Sequence, residues 1–305
     1  MADTPERLKL APVGLWTVAL DNLPASQAKE KAAELEELGY GAIWTGEVAG
    51  RDPFVTHTLI LSSTKKMVGA TGIANIWGRD PITMVEGAKA LTEAFPERFV
   101  LGLGVSHKNL VSDLRGHDYS KPLTNMRRYL DAMDKSPYQA HRPTTPLRRV
   151  LAALKPKMLG LAGERTDGAH PYFVPVEHTA QARERLGREP LLCPEQMVVL
   201  EKDPGKAREV ARAWMKVHAQ QPNYANNLRD FGFSDDDIKS LSDKLVDAIV
   251  AWGSVEQITE RVKAHFDAGA DHVAVQALPD TPRGVPTDQW KELAPALTAL
   301  KGRAA

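Results

Sequence analysis

Apolar and polar positions follow two alternating periods along this chain. Short continuous apolar runs give way, again and again, to stretches where apolar residues recur every three or four positions. The runs read as strands buried on both faces, as in a parallel sheet. Eight are legible: VGLWTVAL (13–20), GAIWTGE (41–47), MVGATGIAN (67–75), FVLGLGV (99–105), RVLAAL (149–154), GAHPYF (168–173), QMVVLE (196–201) and HVAVQ (272–276). The helical period predicts helices over 25–38, 53–62, 82–94, 123–133, 157–164, 179–186, 204–218, 224–231, 234–250 and 255–268. Gly39 stops the first of these as a C-cap residue. Strands alternating with helices imply an α/β fold with a parallel sheet, and eight such units imply a closed (β/α)8 TIM barrel. A doubly wound sheet is the other arrangement the strand count allows. No linker rich in Gly, Pro or Ser divides the chain, so 1–305 reads as one domain. The longer connections, about 106–148 and 219–250, read as insertions in it.

Composition narrows the function. Lys plus Arg equals Asp plus Glu, 39 against 39, and no basic excess or basic amphipathic helix points to nucleic acid or a membrane surface. No apolar run reaches the roughly 18 residues of a membrane span, and the start lacks a signal-peptide core. The single cysteine, Cys193, excludes an intrachain disulfide. The histidines show no metal-ligand spacing, and no metal is expected. A cytoplasmic protein acting on a small molecule is the expectation.

The carboxyl ends of parallel strands are where such folds bind ligands, and candidate chemistry collects there. Gly102 and Gly104 in the fourth strand leave room for a flat ring or a tightly packed layer; a dinucleotide fingerprint would need a third glycine where His107 stands. His107, just past that strand, can give or take a proton near neutral pH. Glu47 follows the second strand, where it could meet a ring N–H, act as a base or pair with Arg51. Asn75 ends the third strand, free to bond a heterocycle or to form a turn. His170, Tyr172 and Phe173 follow the sixth strand beside a helix start at Thr179, which reads as an anion site or a packed aromatic loop. Trp16 and Trp77 lie at strand ends, as core or as walls of an apolar pocket.

The stretches ELEELGYGAIWTGE, ATGIANIWGRDP, RFVLGLGVSH, LAGERTDGAHPYF and LVDAIVAWGSVEQITERVKAHFDAGADHVAVQ, in this order and spacing, resemble the luciferase-like monooxygenase superfamily. Within it they are most similar to oxidoreductases that use the deazaflavin coenzyme F420. The resemblance implies a TIM-type barrel with the deazaflavin across the carboxyl ends of the strands. It implies that Glu47 contacts the ring, and that Gly72-Ile73 is a non-prolyl cis peptide beneath it. Asn75, Val105 and Ser106 match further cofactor-contacting places, and Tyr172, Phe173 and Val174 match the segment near the phosphate tail; His107 and His170, beside them, are counted as cofactor-binding candidates too. Relatives are commonly homodimers pairing early helices. Two positions depart from the sugar-phosphate and alcohol dehydrogenases of the superfamily: Val48 replaces their histidine after the acidic residue, and His107 replaces their glutamate. Their tryptophan after the second strand is also missing, from AGRDP. The expected activity is hydride transfer between F420 and a small organic substrate, with His107 and Glu47 as the catalytic candidates and Trp16 and Trp77 lining the substrate pocket. The alternatives are an FMN-dependent monooxygenase and a cofactor-binding barrel without catalysis.

Overall fold

The computed structural model describes residues 8–281 and 283–303. The chain begins with β1 (Val13–Trp16), a 3-10 turn (Ala19–Asn22), α1 (Ala25–Glu37), β2 (Ala42–Thr45) and α2 (Pro53–Ser62). Then come β3 (Val68–Thr71), β4 (Ala74–Asn75), α3 (Pro81–Ala94) and β5 (Phe99–Gly104). A π-turn (Asn109–Asp113) and α4 (Pro122–Lys135) lead to β6 (Arg148–Leu151), α5 (Pro156–Arg165), β7 (Gly168–Ala169) and α6 (Val176–Leu186). The last third holds β8 (Leu191–Leu192), β9 (Glu195–Val199), α7 (Pro204–Ala219), α8 (Pro222–Asp230), α9 (Asp235–Ser240) and α10 (Asp243–Ile249). It ends with β10 (Val250–Trp252), α11 (Val255–Asp267), β11 (Val273–Ala277) and α12 (Thr287–Thr298).

All strand pairs are parallel, in the order β10-β9-β11-β1-β2-β3-β5-β6-β7-β8, with β4 beside β5. The sheet is curled, and the helices between strands cover its outer face. The expected eight strands are therefore eleven. Residues 72–73 split the third expected strand into β3 and β4, and β8 and β10 are too short to register as apolar runs. The expected strand over 13–20 stops at Trp16, because Ala19–Asn22 turns into a 3-10 helix. That over 168–173 stops at Ala169. The expected helix over 234–250 is two helices and a strand.

Local chemistry explains the helix starts. Pro53 and Pro81 open α2 and α3 at the first position, where a missing N–H costs nothing, and Asp52 and Asp80 accept hydrogen bonds from the next free N–H groups. Inside the curl, alternate strand residues form their own cluster, including Trp16, Ala42, Trp44, Ala70, Val100, Val150, Cys193 and Ala274. Trp44 stacks on His170 with ring centroids 4.3 Å apart and donates its indole N–H to His272 Nε2 at 2.9 Å. Burial lowers both histidines to about 4, so they are neutral and His272 Nε2 keeps its lone pair.

Gly102 and Gly104 serve this packing. A Cβ at Gly102 would lie 1.9 Å from the Thr71 carbonyl oxygen, and one at Gly104 would lie 2.5 Å from the Ile73 side chain. The space at these glycines is filled by the neighbouring segment, so of the two expectations, a flat ring or a tightly packed layer, the packed layer is the one found.

Candidate functional site at the carboxyl ends of the strands

The ends of β2 to β5 are tied together by polar contacts. Glu47, two residues past β2, accepts from both guanidinium nitrogens of Arg79 at 2.9 Å and from the Asn75 N–H at 2.7 Å. Arg79 also bonds Asp52 at 2.8 Å. The sequence offered Arg51 as the partner of Glu47; Arg51 instead meets Asp21, and Arg79 reaches Glu47 because the turn after β4 folds it back. The peptide bond between Gly72 and Ile73 is cis. The Gly72 carbonyl accepts the indole N–H of Trp16 at 3.1 Å. Asn75 is buried and its Oδ1 accepts from Trp77 N at 3.0 Å, which makes it a turn former. Among the described residues its Nδ2 makes no hydrogen bond, so the side chain keeps a donor for something else. Trp77 donates to the Val105 carbonyl at 3.1 Å. Ser106 sits at φ +56° and its carbonyl accepts from the Tyr119 hydroxyl at 2.8 Å. Val48 is exposed.

On the other side the rim is aromatic and largely neutral. The His107 ring lies 5.2 Å from Tyr224, and its Nδ1 is 3.1 Å from the amide oxygen of Asn223. Burial lowers its pKa, against a smaller upward pull from Asn223. Tyr172 packs on Trp16 at 5.0 Å, and its hydroxyl bonds Gln276 Oε1 at 3.0 Å and lies 3.3 Å from His218 Nε2. Burial, and after it the nearby Glu195 and Tyr224, hold the Tyr172 phenol well above its usual range. His218 is lowered to about 4 by burial and then by His107. Phe173, at φ +59°, is fully buried with Val174, and its N–H already donates to Glu195 Oε2 at 3.2 Å. His170 sits below this layer. Its Nδ1 donates to the Cys193 carbonyl at 2.6 Å, and its buried Nε2 has no partner. The adjacent α6 begins at Val176, three residues before the start expected at Thr179.

Sequence reasoning missed Glu195, Asn223, Tyr224, His218 and Gln276. Glu195 is buried, its Oε1 has no partner, and burial raises it to about 8, so at neutral pH it is mainly the uncharged acid. One signal was available for it, a carboxylate opening the apolar run QMVVL. Gln276 ends the expected strand HVAVQ, at a carboxyl end, while His218, Asn223 and Tyr224 lie in segments with no motif. Buried, unpartnered polar atoms and a free amide donor at strand ends are what a planar heterocycle with carbonyl and N–H edges would meet. A cavity of about 250 Å³ lined by Leu8, Phe99, Thr145 and Arg148 lies at the opposite, amino-terminal ends of β5 and β6. Among the described residues, no group of three or more His, Cys, Asp or Glu could hold a metal, and no helix is long and apolar enough to cross a membrane.

The chain is 24% identical to the Mycobacterium tuberculosis protein Rv3520c, named as a coenzyme F420-dependent oxidoreductase, over 83% of this chain and 91% of that one. The fold is shared with an F420-dependent secondary alcohol dehydrogenase in complex with an F420-acetone adduct, at a TM-score of 0.75, 15% identity, and coverage of 95% and 99% of the two chains. It is also shared with the oxygenating constituent of 3,6-diketocamphane monooxygenase from Pseudomonas putida in complex with FMN, at a TM-score of 0.67, 16% identity, and coverage of 95% and 97%. The sequence matches the luciferase-like monooxygenase family over residues 11–272, and the chain belongs to that family of enzymes.

Proposed function

We propose that this enzyme is a coenzyme F420-dependent oxidoreductase that transfers a hydride between the deazaflavin and a small organic substrate. The observation that carries the reading is convergence. Glu47, Asn75, Trp77 and Val105 come from three separate segments and meet at the ends of β2 to β5 through bonds of 2.7–3.1 Å, with Ser106 and His107 next along the chain from Val105. The F420 dependence in the name of the Mycobacterium tuberculosis relative supports the same cofactor here. The sheet itself reads as a closed barrel. Only Cys193 and Pro194 separate β8, which pairs with β7, from β9, which pairs with β11. Cys193 N donates to the Ala169 carbonyl and Ala274 N to the Pro194 carbonyl, so ladder bonds continue across that bend.

The residues present fit a deazaflavin. When bound, it supplies or takes a hydride at its C5. Asn75 Nδ2 is placed to donate to a ring carbonyl. Glu47 acts on that amide indirectly, because its bonds to Arg79 and to the Asn75 N–H fix the turn that carries it. Val105 and Ser106 would border the ring, and Trp16 and Trp77 would close the substrate side and exclude water. His107 exchanges a proton with the substrate at Nε2. By resemblance, Tyr172, Phe173 and Val174 would lie near the phosphate tail.

FMN is the second reading, supported by the shared fold of the FMN-bound Pseudomonas putida enzyme. Titration of the purified protein with F420 and, separately, with FMN, followed by fluorescence, distinguishes them. Micromolar binding of F420, with FMN much weaker, is the expected outcome. The reverse preference, with oxygen uptake by the reduced-FMN complex, would move the protein to the monooxygenases; binding of neither would sink both.

A further inference from the structure

The ring of His107 is gripped from an element far away in sequence. Asn223 on α8, 116 residues further along, places its amide oxygen 3.1 Å from His107 Nδ1. An amide oxygen only accepts, so this bond requires the hydrogen on Nδ1 and would leave Nε2 with the lone pair. The backbone around the ring is already fixed. Ser106 turns the chain at φ +56°, and the His107 carbonyl accepts from Val111 N at 2.9 Å. What remains free is rotation of the imidazole, and only a directional partner can set it. The helix supplying that partner is pinned at both ends. Tyr224 packs against His107 at 5.2 Å and against Phe173 at 5.3 Å, while the Lys155 ammonium bonds the Asn226 carbonyl at 3.0 Å and pairs with Asp230.

We propose that Asn223 is a positioning residue that holds His107 as the Nδ1–H tautomer, leaving Nε2 to accept a proton from the bound substrate. The inference rests on His107 as the proton-exchanging group of the proposed oxidoreductase. It adds that α8 completes the site, because without an acceptor at Nδ1 the imidazole would revert toward the Nε2–H form that neutral histidine favours.

The test reads the tautomer directly in the full chain, without cofactor. Protein carrying 15N-histidine is examined by long-range proton–nitrogen correlation at pH 8, and the His107 signals are identified by their loss in His107→Gln. The wild type and Asn223→Asp, whose carboxylate also accepts from Nδ1, are expected to show the Nδ1–H form. Asn223→Ala is expected to show a mixture or the Nε2–H form, with an unchanged circular dichroism spectrum. An Nε2–H wild type, or an Asn223→Ala protein that keeps the Nδ1–H form, overturns the proposal. With F420 and a substrate, Asn223→Ala should lower kcat on the order of tenfold with little change in KM, and Asn223→Asp should recover it. If no deazaflavin binds, the functional reading fails. That failure is told apart from failure of the positioning role, because the tautomer is read without the cofactor.

Discussion

Around the ends of β2 to β5, buried groups form an ion pair: Glu47 and the Arg79 guanidinium meet at 2.9 Å with about a tenth of each side chain exposed. Around the ends of β7, β9 and β11, and under α8, buried groups give charge up. Glu195 is held as the acid, His218 as the neutral imidazole, and Tyr172 and Tyr224 as phenols, in each case chiefly by burial. An ion pair out of water needs fixed geometry and further hydrogen bonds to offset desolvation, and the Asn75 N–H and Asp52 supply them. Neutral aromatic side chains need only to touch, in tilted or edge-on contacts of 5–6 Å. The first rim is thus specified by an ion pair, and the second by packed aromatic side chains with neutral hydrogen bonds such as Tyr172–Gln276 and His107–Asn223. His107 joins them, with its backbone in the first and its ring in the second.

Acid should have the largest effect, through His170 and His218 of the neutral rim and through further neutral histidines buried elsewhere in the fold. Burial holds His57, His170, His178, His218 and His272 at about 4, and His265 at about 3. Unfolded, each returns to about 6.5. Below that value the unfolded chain takes up protons that the folded chain refuses, so stability falls with pH. Each histidine contributes up to about 1.4 kcal/mol per pH unit between its two pKa values. Urea unfolding midpoints should drop steeply from pH 6.5 to 5; a level profile would show that these histidines are not held neutral.

Glu195 runs the opposite way. Raised to about 8, it adds stability that is complete below its ordinary value of 4.5 and is lost as pH rises toward 8. The loss is up to about 1.4 kcal/mol per pH unit across that window. Glu195→Gln, neutral at every pH, should therefore gain on the wild type between pH 5 and 8. Parallel unfolding curves for the two proteins would place the carboxyl in water instead.

The smallest of the three effects sharpens the charged side. Glu47→Ala leaves Arg79 buried with only Asp52 and should cost about 3 kcal/mol, nearly constant from pH 6 to 9. Denaturant unfolding measures it, and a cost below about 1 kcal/mol would put the pair in the class of exposed ion pairs and dissolve the contrast.

Helices α1, α2, α3 and α11 were legible within about two residues because proline, aspartate, serine or glycine marks at least one end of each. Strand ends were not, since an apolar run continues after pairing stops, as Ala152 to Leu154 do beyond β6. Residues 234–250 kept one apolar rhythm through three elements. The break comes from Leu241 at φ +52° and from Ser242 capping α10, and Val250–Trp252 adds no change of period. Helix α12 was missed, its rhythm interrupted by Pro295. At the site, position along the strands was enough to single out Glu47, Asn75 and His107. Their partners Arg79 and Asn223 were not legible, because each is delivered by a turn or helix whose direction only the folded chain sets.

One feature of the sheet reaches beyond this enzyme's own chemistry. β9 and β10 lie side by side, with Met197 opposite Val250 and Val199 opposite Trp252, so everything between them leaves and re-enters at adjacent points. Loop closure grows by only about 0.6 kcal/mol per doubling of length, but α7, α8 and α10 also bury Ala211, Met215, Leu228 and Leu245 against Phe173, Met197 and Val199, so a replacement must bring a matching apolar face. Helices α7 to α10 are in this sense a cassette. Exchanging it between relatives would carry His218, Asn223 and Tyr224 along together, giving a direct route to chimeras that inherit one protein's charged floor and another's roof.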